Sequence, residues 1–101
     1  MVTVIENEKI RKKLLEDGWV VIFREEPRSI GKDWMTDRKG NNKICDVHIA
    51  PAGTISSVSM LTPYVKDSGF ETLQEWLGEM KRMNPRITRA IGYLYKITKI
   101  D

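Results

Sequence analysis

One cysteine, Cys45, stands in 101 residues. No disulfide can form within the chain, which suits a reducing compartment such as the cytoplasm. Cys45 lies in an apolar run and reads as a small buried hydrophobe, not a reactive thiol. Histidine is as scarce, with His48 alone. On a strand, an offset of three places Cys45 and His48 on opposite faces, so they form the nucleus of neither a metal site nor a Cys–His nucleophile pair. There is no Walker loop, no dinucleotide fingerprint and no Gly-x-Ser-x-Gly elbow, and no cofactor is expected. No apolar run approaches the roughly eighteen residues of a membrane span. No membrane association is therefore expected, and since the N-terminus lacks the apolar core of a signal peptide, neither is secretion.

What is present fits one small folded domain. Hydrophobic residues make up 41% of the chain and charged residues 31%, a balance that argues against disorder. Seventeen Lys and Arg against fourteen Asp and Glu leave a net charge of +3, which permits a polyanion partner without requiring one.

The patterning predicts a succession of short elements. Val2–Ile5 is a β-branched run, either a strand or a docked end. Glu6–Glu16 carries Ile10, Leu14 and Leu15 at helical spacing, and Gly18 is a natural stop. Trp19–Phe23 reads as a strand buried on both faces. Glu25–Lys32, with Pro27 and Gly31, reads as a loop. Asp33–Arg38 and Lys43–Ile49 read as two strands joined by a hairpin turn at Lys39-Gly40-Asn41-Asn42. Within the second, His48 reads as a half-exposed residue, and Pro51-Ala52-Gly53 ends the strand. Thr54–Met60 is weakly patterned, and Leu61–Gly69 is a connector with room for one helical turn. Ser68 and Glu71 form a candidate capping box. Phe70, Leu73, Trp76, Leu77 and Met80 then form the apolar stripe of a helix that Asn84-Pro85 stops. Ile91–Ile100 closes the chain as a strand. About five strands, hairpin connections and no βαβ alternation predict an α+β fold. Its centre is a small, strongly bent mixed or antiparallel sheet of barrel type, with helices flanking it.

Arg24, Arg28, Lys32, Arg38, Lys39 and Lys43 all fall at strand ends or in the two loops linking the first three central strands. If Arg24 ends its strand near Lys32 and Trp34, these residues line one cleft. Arginine pairs bidentately with phosphate, and tryptophan stacks on a base. The plainer alternative is a solvated loop beside a core tryptophan. Glu25, Glu26 and Asp33 supply carboxylates, but no pair among them can be assigned acid–base work.

Several of these stretches, in order, resemble the ASCH domain family of the PUA-like superfamily. They are the helix ending at Asp17-Gly18, the strand closing on Arg24, and Gly31-Lys32-Asp33. They continue with Tyr64 to Glu71 followed by Glu75-Trp76-Leu77, and with the closing Gly92-Tyr93-Leu94-Tyr95-Lys96-Ile97. The resemblance covers most of the chain. It implies a β-barrel with a cleft beside the Trp19–Arg24 strand and its following loop, and a role near RNA. Some members hydrolyse acetylated cytidine with a lysine, a threonine and a glutamate, the first two on the strand after the helix-ending glycine. Trp19–Phe23 offers neither, so that activity is not expected. Others are ribonucleases, and no nucleolytic pair is identifiable here. The expectation is therefore an RNA-binding domain. In it Arg24, Arg28, Lys32, Arg38 and Lys39 contact phosphate or base, and Trp34 stacks or walls the cleft. The alternatives are an enzyme acting on RNA or a modified nucleoside, and a protein-interaction domain using an exposed Phe70–Met80 stripe.

Overall fold

The computed structural model describes residues 2–38 and 42–100. Five strands are present: β1 (Val2–Val4), β2 (Trp19–Arg24), β3 (Gly31–Thr36), β4 (Cys45–Ile55) and β5 (Gly92–Ile100). Two α-helices, α1 (Glu8–Asp17) and α2 (Leu73–Met83), and a 3₁₀ helix over Val58–Ser68 complete the elements. The strands form one mixed sheet in the order β1-β3-β4-β5-β2, with β1 parallel to β3 and the other pairs antiparallel. The sheet curls into a half-barrel flanked by the helices, so the α+β class and the bent mixed sheet are as the patterning predicts.

Register assigns every strand residue to a face. Val20, Ile97, Ile49 and Gly31 form one cross-sheet row, and Ile22 continues the same face opposite Tyr95. Thr3, Met35 and Cys45 extend it to the other edge. This inner face carries much of the core: Val20, Met35, Val47 and Ile97 are fully buried. Each such aliphatic side chain contributes about 1.5–3 kcal/mol. In β2 the alternate residues Val21 and Phe23 are buried as well, as its unbroken apolar run predicts. Asn7 caps α1 by accepting from the backbone of Lys9 and Ile10, and Gly18 ends it in the left-handed conformation, which glycine enters without steric cost. Ile10 and Leu14 dock α1 into the core.

Several boundaries differ from the sequence expectation. Pro51-Ala52-Gly53 does not end β4. The strand runs on to Ile55, and the register shifts between Pro51 and Gly53, leaving Ala52 as the extra residue of a bulge. A bulge absorbs the missing proline N–H without ending the pairing. The connector after it holds eleven residues of 3₁₀ helix, not a single turn. Ser68 does not open α2. Its hydroxyl donates to the Val65 carbonyl and accepts from the Phe70 backbone N–H, and Thr72 caps α2 by accepting from the Glu75 N–H. β3 begins at Gly31 and ends at Thr36, two residues earlier at each end than expected. Of the expected hairpin turn, Lys39, Gly40 and Asn41 lie outside the described residues.

α2 is fastened by its buried Trp76 and Met80 and by a ring of polar ties. Lys9 donates to Glu75, and Asn84 Nδ2 donates to Glu25 Oε1 at 2.6 Å. Glu79, only 8% exposed, accepts both arms of the Arg82 fork at 2.8 Å. The Arg82 hydrogen bonds hold the Glu79 carboxyl below its ordinary value of 4.5, against partial desolvation and with help from Asn7 and Arg24. A carboxyl depressed by folding gives stability that is present above its unfolded pKa and lost as pH falls through its folded one. The acid limb of stability below about pH 4.5 is therefore predicted to be shallower in Glu79→Gln. Denaturant titrations of both proteins between neutral and acid pH check this, and superimposable acid limbs contradict it.

Candidate nucleic-acid interface

The half-barrel places Arg24 and Arg28 at its inner face and Lys32 and Trp34 on its outer face. Arg24 follows Val20 and Ile22 on the inner side of β2. Its Nη1 donates to the Phe23 carbonyl at 3.0 Å. Burial lowers its pKa, the neighbouring Arg28 adds to that, and Glu79 opposes it. The guanidinium stays charged throughout the accessible pH range. Arg24 also lines a cavity of about 230 Å³ with Phe23, Met80, Met83 and Ile87, and Glu25 and Glu26 share its wall. The cavity is thus apolar and partly acidic, a poor surface for a polyphosphate.

Arg28 is tied into the fold. Its Nη2 donates to Thr3 Oγ1 and to Asp33 Oδ2, both at 3.1 Å, and the side chains of the ion pair are 14% and 6% exposed. Thr3 Oγ1 in turn donates to Asp33 at 2.8 Å. The backbone N–H of Arg28 donates to the Tyr95 hydroxyl at 2.9 Å. One loop residue therefore links β1 and β3 to β5 across the inner face.

Lys32 and Trp34 point the other way. Lys32 lies opposite His48, His48 opposite Thr98, and Thr98 opposite Trp19, giving one outer row across four strands. The next row is Val2, Trp34, Asp46 and Ile100, and on the other side Ala50, Lys96 and Val21 form a third. Lys32, His48 and Lys96 are exposed, and Trp19 and Trp34 are half-buried. Trp34 lies outside the core cluster. The Trp19 ring carries Lys13 Nζ at 3.9 Å and Lys96 Nζ at 4.8 Å from its centroid, contacts that fix its pose. Asp46, the acid of this face, pairs with Lys43 at 3.3 Å. Arg38 is exposed just beyond β3, and Lys39 lies outside the described residues.

The single cleft expected from Arg24, Lys32 and Trp34 is thus not formed. In β2 the even-numbered residues face inward, whereas in β3 the odd-numbered ones do, so Arg24 and Lys32 diverge. Trp19, His48, Thr98 and Lys96 join Lys32 and Trp34 instead. Their signal in the sequence was parity, with polar or aromatic residues alternating with buried ones along β4 and β5. Cys45 and His48 do fall on opposite faces, buried and exposed respectively. Among the described residues no group of three or more His, Cys, Asp or Glu side chains is placed to hold a metal ion. No helix among them is long and apolar enough to cross a membrane. No family model, curated protein or solved structure matches the chain.

Because Arg28 is committed to the inner face, Arg28→Ala is predicted to destabilise the fold by about 1.5–3 kcal/mol, the range for hydrogen bonds to charged groups. Arg28→Lys should recover only part of this, since lysine is one atom shorter and lacks the Nε–H that donates to the Ser29 carbonyl. Urea titrations measure both, and an Arg28→Ala midpoint equal to the parent's contradicts the assignment.

Proposed function

We propose that this chain is a cytoplasmic RNA-binding domain that receives single-stranded RNA on the outer face of its half-barrel. The observation that carries this reading is the row Trp19, Thr98, His48, Lys32 with Trp34 in the adjoining row. Adjacent strands are about 4.8 Å apart, so Trp19 and Lys32 stand roughly 14 Å from each other. That is room for a few nucleotides. A half-buried tryptophan outside the core is an accessible stacking surface, and stacking accepts any base. Lys32, Lys96 and Arg38 supply the charge that phosphates require. A four-stranded surface with aromatics and flanking cations is a general solution to single-strand binding. The order of motifs resembling ASCH domains supports the same substrate class, and the single buried Cys45 suits the cytoplasm.

In this reading Arg24 and Arg28 are positioning and stabilising residues. Affinity resides in Lys32, Trp34 and Lys96. The reading that the domain is an enzyme on RNA is tested by incubating the RNA with and without chelator, and intact RNA in both counts against it. For binding itself, labelled single-stranded RNA titrated at several salt concentrations should give a log–log slope of about −0.7 for each phosphate contacted. Trp34→Ala is predicted to cost about 1–3 kcal/mol, as loss of one stacked base does, without changing the slope. Lys32→Ala should reduce the slope by about one contact. Absence of binding, or binding that is insensitive to Trp34→Ala and Lys32→Ala together, overturns the proposal.

A further inference from the structure

α2 contains a glycine that its own packing does not explain. Gly78 sits in the middle of the helix, and a Cβ built there meets nothing within 4 Å. Glycine is among the poorest helix formers, and alanine would fit the same backbone. What glycine adds here is bare backbone, which lets another chain approach closely. Beside it, between α2 and residues 87–90, lies a groove of about 290 Å³ with walls of Val58, Leu77, Met80, Ile87 and Ala90. Lys81 and Arg89 line the same groove. Both are exposed, and among the described residues neither has an ion-pair partner.

We propose that this groove docks an amphipathic helix of a partner protein, with leucine-like side chains on one face and acidic residues beside them. The apolar walls receive the hydrophobic face, in the manner of helix-in-groove recognition. Gly78 admits the partner backbone, and Lys81 and Arg89 select the negative charge. A polynucleotide is a poor occupant, because the walls are apolar and Trp19, Trp34 and the exposed outer-face cations Lys32 and Lys96 lie elsewhere. A second copy of this chain is also a poor occupant. On its α1, Ile10 and Leu14 are buried in the fold and Leu15 alone is exposed, and Arg11-Lys12-Lys13 would face Lys81 and Arg89 with like charge. The inference stands apart from the RNA reading, since the groove shares no residue with the outer-face rows.

Two fluorescein-labelled synthetic helices test it, both with a leucine face, one glutamate-rich and the other lysine-rich. By anisotropy the glutamate probe should bind the full chain at least about tenfold more tightly than the lysine probe. Charge reversal at Lys81→Glu with Arg89→Glu should invert that order. Gly78→Ala should raise Tm by about 4–8 °C, through better helix propensity in a domain of this size, yet weaken the glutamate probe about tenfold. The rise in Tm shows that the variant is folded. Salt-dependent RNA binding should persist in every variant, which separates this test from that of the outer face. Equal binding of the two probes, or binding of neither, overturns the proposal. So does a Gly78→Ala protein that is stabilised but binds as the parent does. Concentration-dependent self-association lost in the charge-reversed variant assigns the groove to a second copy and equally overturns it.

Discussion

Arg28 holds the two sides of the curled sheet together, and the rest of the molecule is arranged around that link. From the loop after β2 it spans the inner face. Its backbone N–H meets Tyr95 on β5, and its guanidinium meets Thr3 on β1 and Asp33 on β3. Both side-chain bonds leave the same nitrogen, Nη2, at the end of a guanidinium whose Nε–H also donates to the Ser29 carbonyl. The Arg28 partners Thr3, Asp33 and Tyr95 share the inner face with Val20, Met35, Val47 and Ile97. On the opposite face Lys32, His48 and Lys96 stay exposed, with Trp34 half-buried among them.

That division of labour separates the charges by role. The inner cations are committed or enclosed: Arg28 to Asp33, and Arg24 under α2 with Glu79 near enough to oppose its pKa shift. The outer cations, Lys32 and Lys96, are exposed beside tryptophan. A net charge of +3 is therefore a poor guide to this protein, because what matters is which face the excess occupies. α2 adds a third surface of different chemistry, apolar with two flanking cations, at a distance from the outer-face rows.

Much of this architecture was legible in the residues. The five-residue apolar run Trp19–Phe23, the stripe of Trp76 and Met80, the Asp17-Gly18 stop and the strand at Ile91–Ile100 each carry a local physical signature. The bulge at Pro51–Gly53 was not legible, because proline and glycine signal both a strand's end and its irregular continuation. Ser68 and Thr72 compete as caps, each three residues ahead of a glutamate, and only tertiary packing chooses Thr72. The site failed on parity. Each strand's alternation was visible, but the phase between β2 and β3 depends on β4 and β5 lying between them. That order is set by long-range pairing, which no local window contains. Arg28 looked like any loop cation until Thr3, Asp33 and Tyr95 were brought to it from three strands.

The central claim is that nucleic acid meets the outer face and not the Arg24 cavity. The most direct measurement is a ¹H–¹⁵N NMR titration of the intact chain with single-stranded RNA, followed at indole, guanidinium and backbone resonances. The account predicts shifts at the Trp34 and Trp19 indoles and at the amides of Lys32, His48 and Lys96, with the Arg24 and Arg28 Nε–H signals unmoved. Shifts concentrated at Arg24, Glu25 and Met83, with both indoles unmoved, would contradict it.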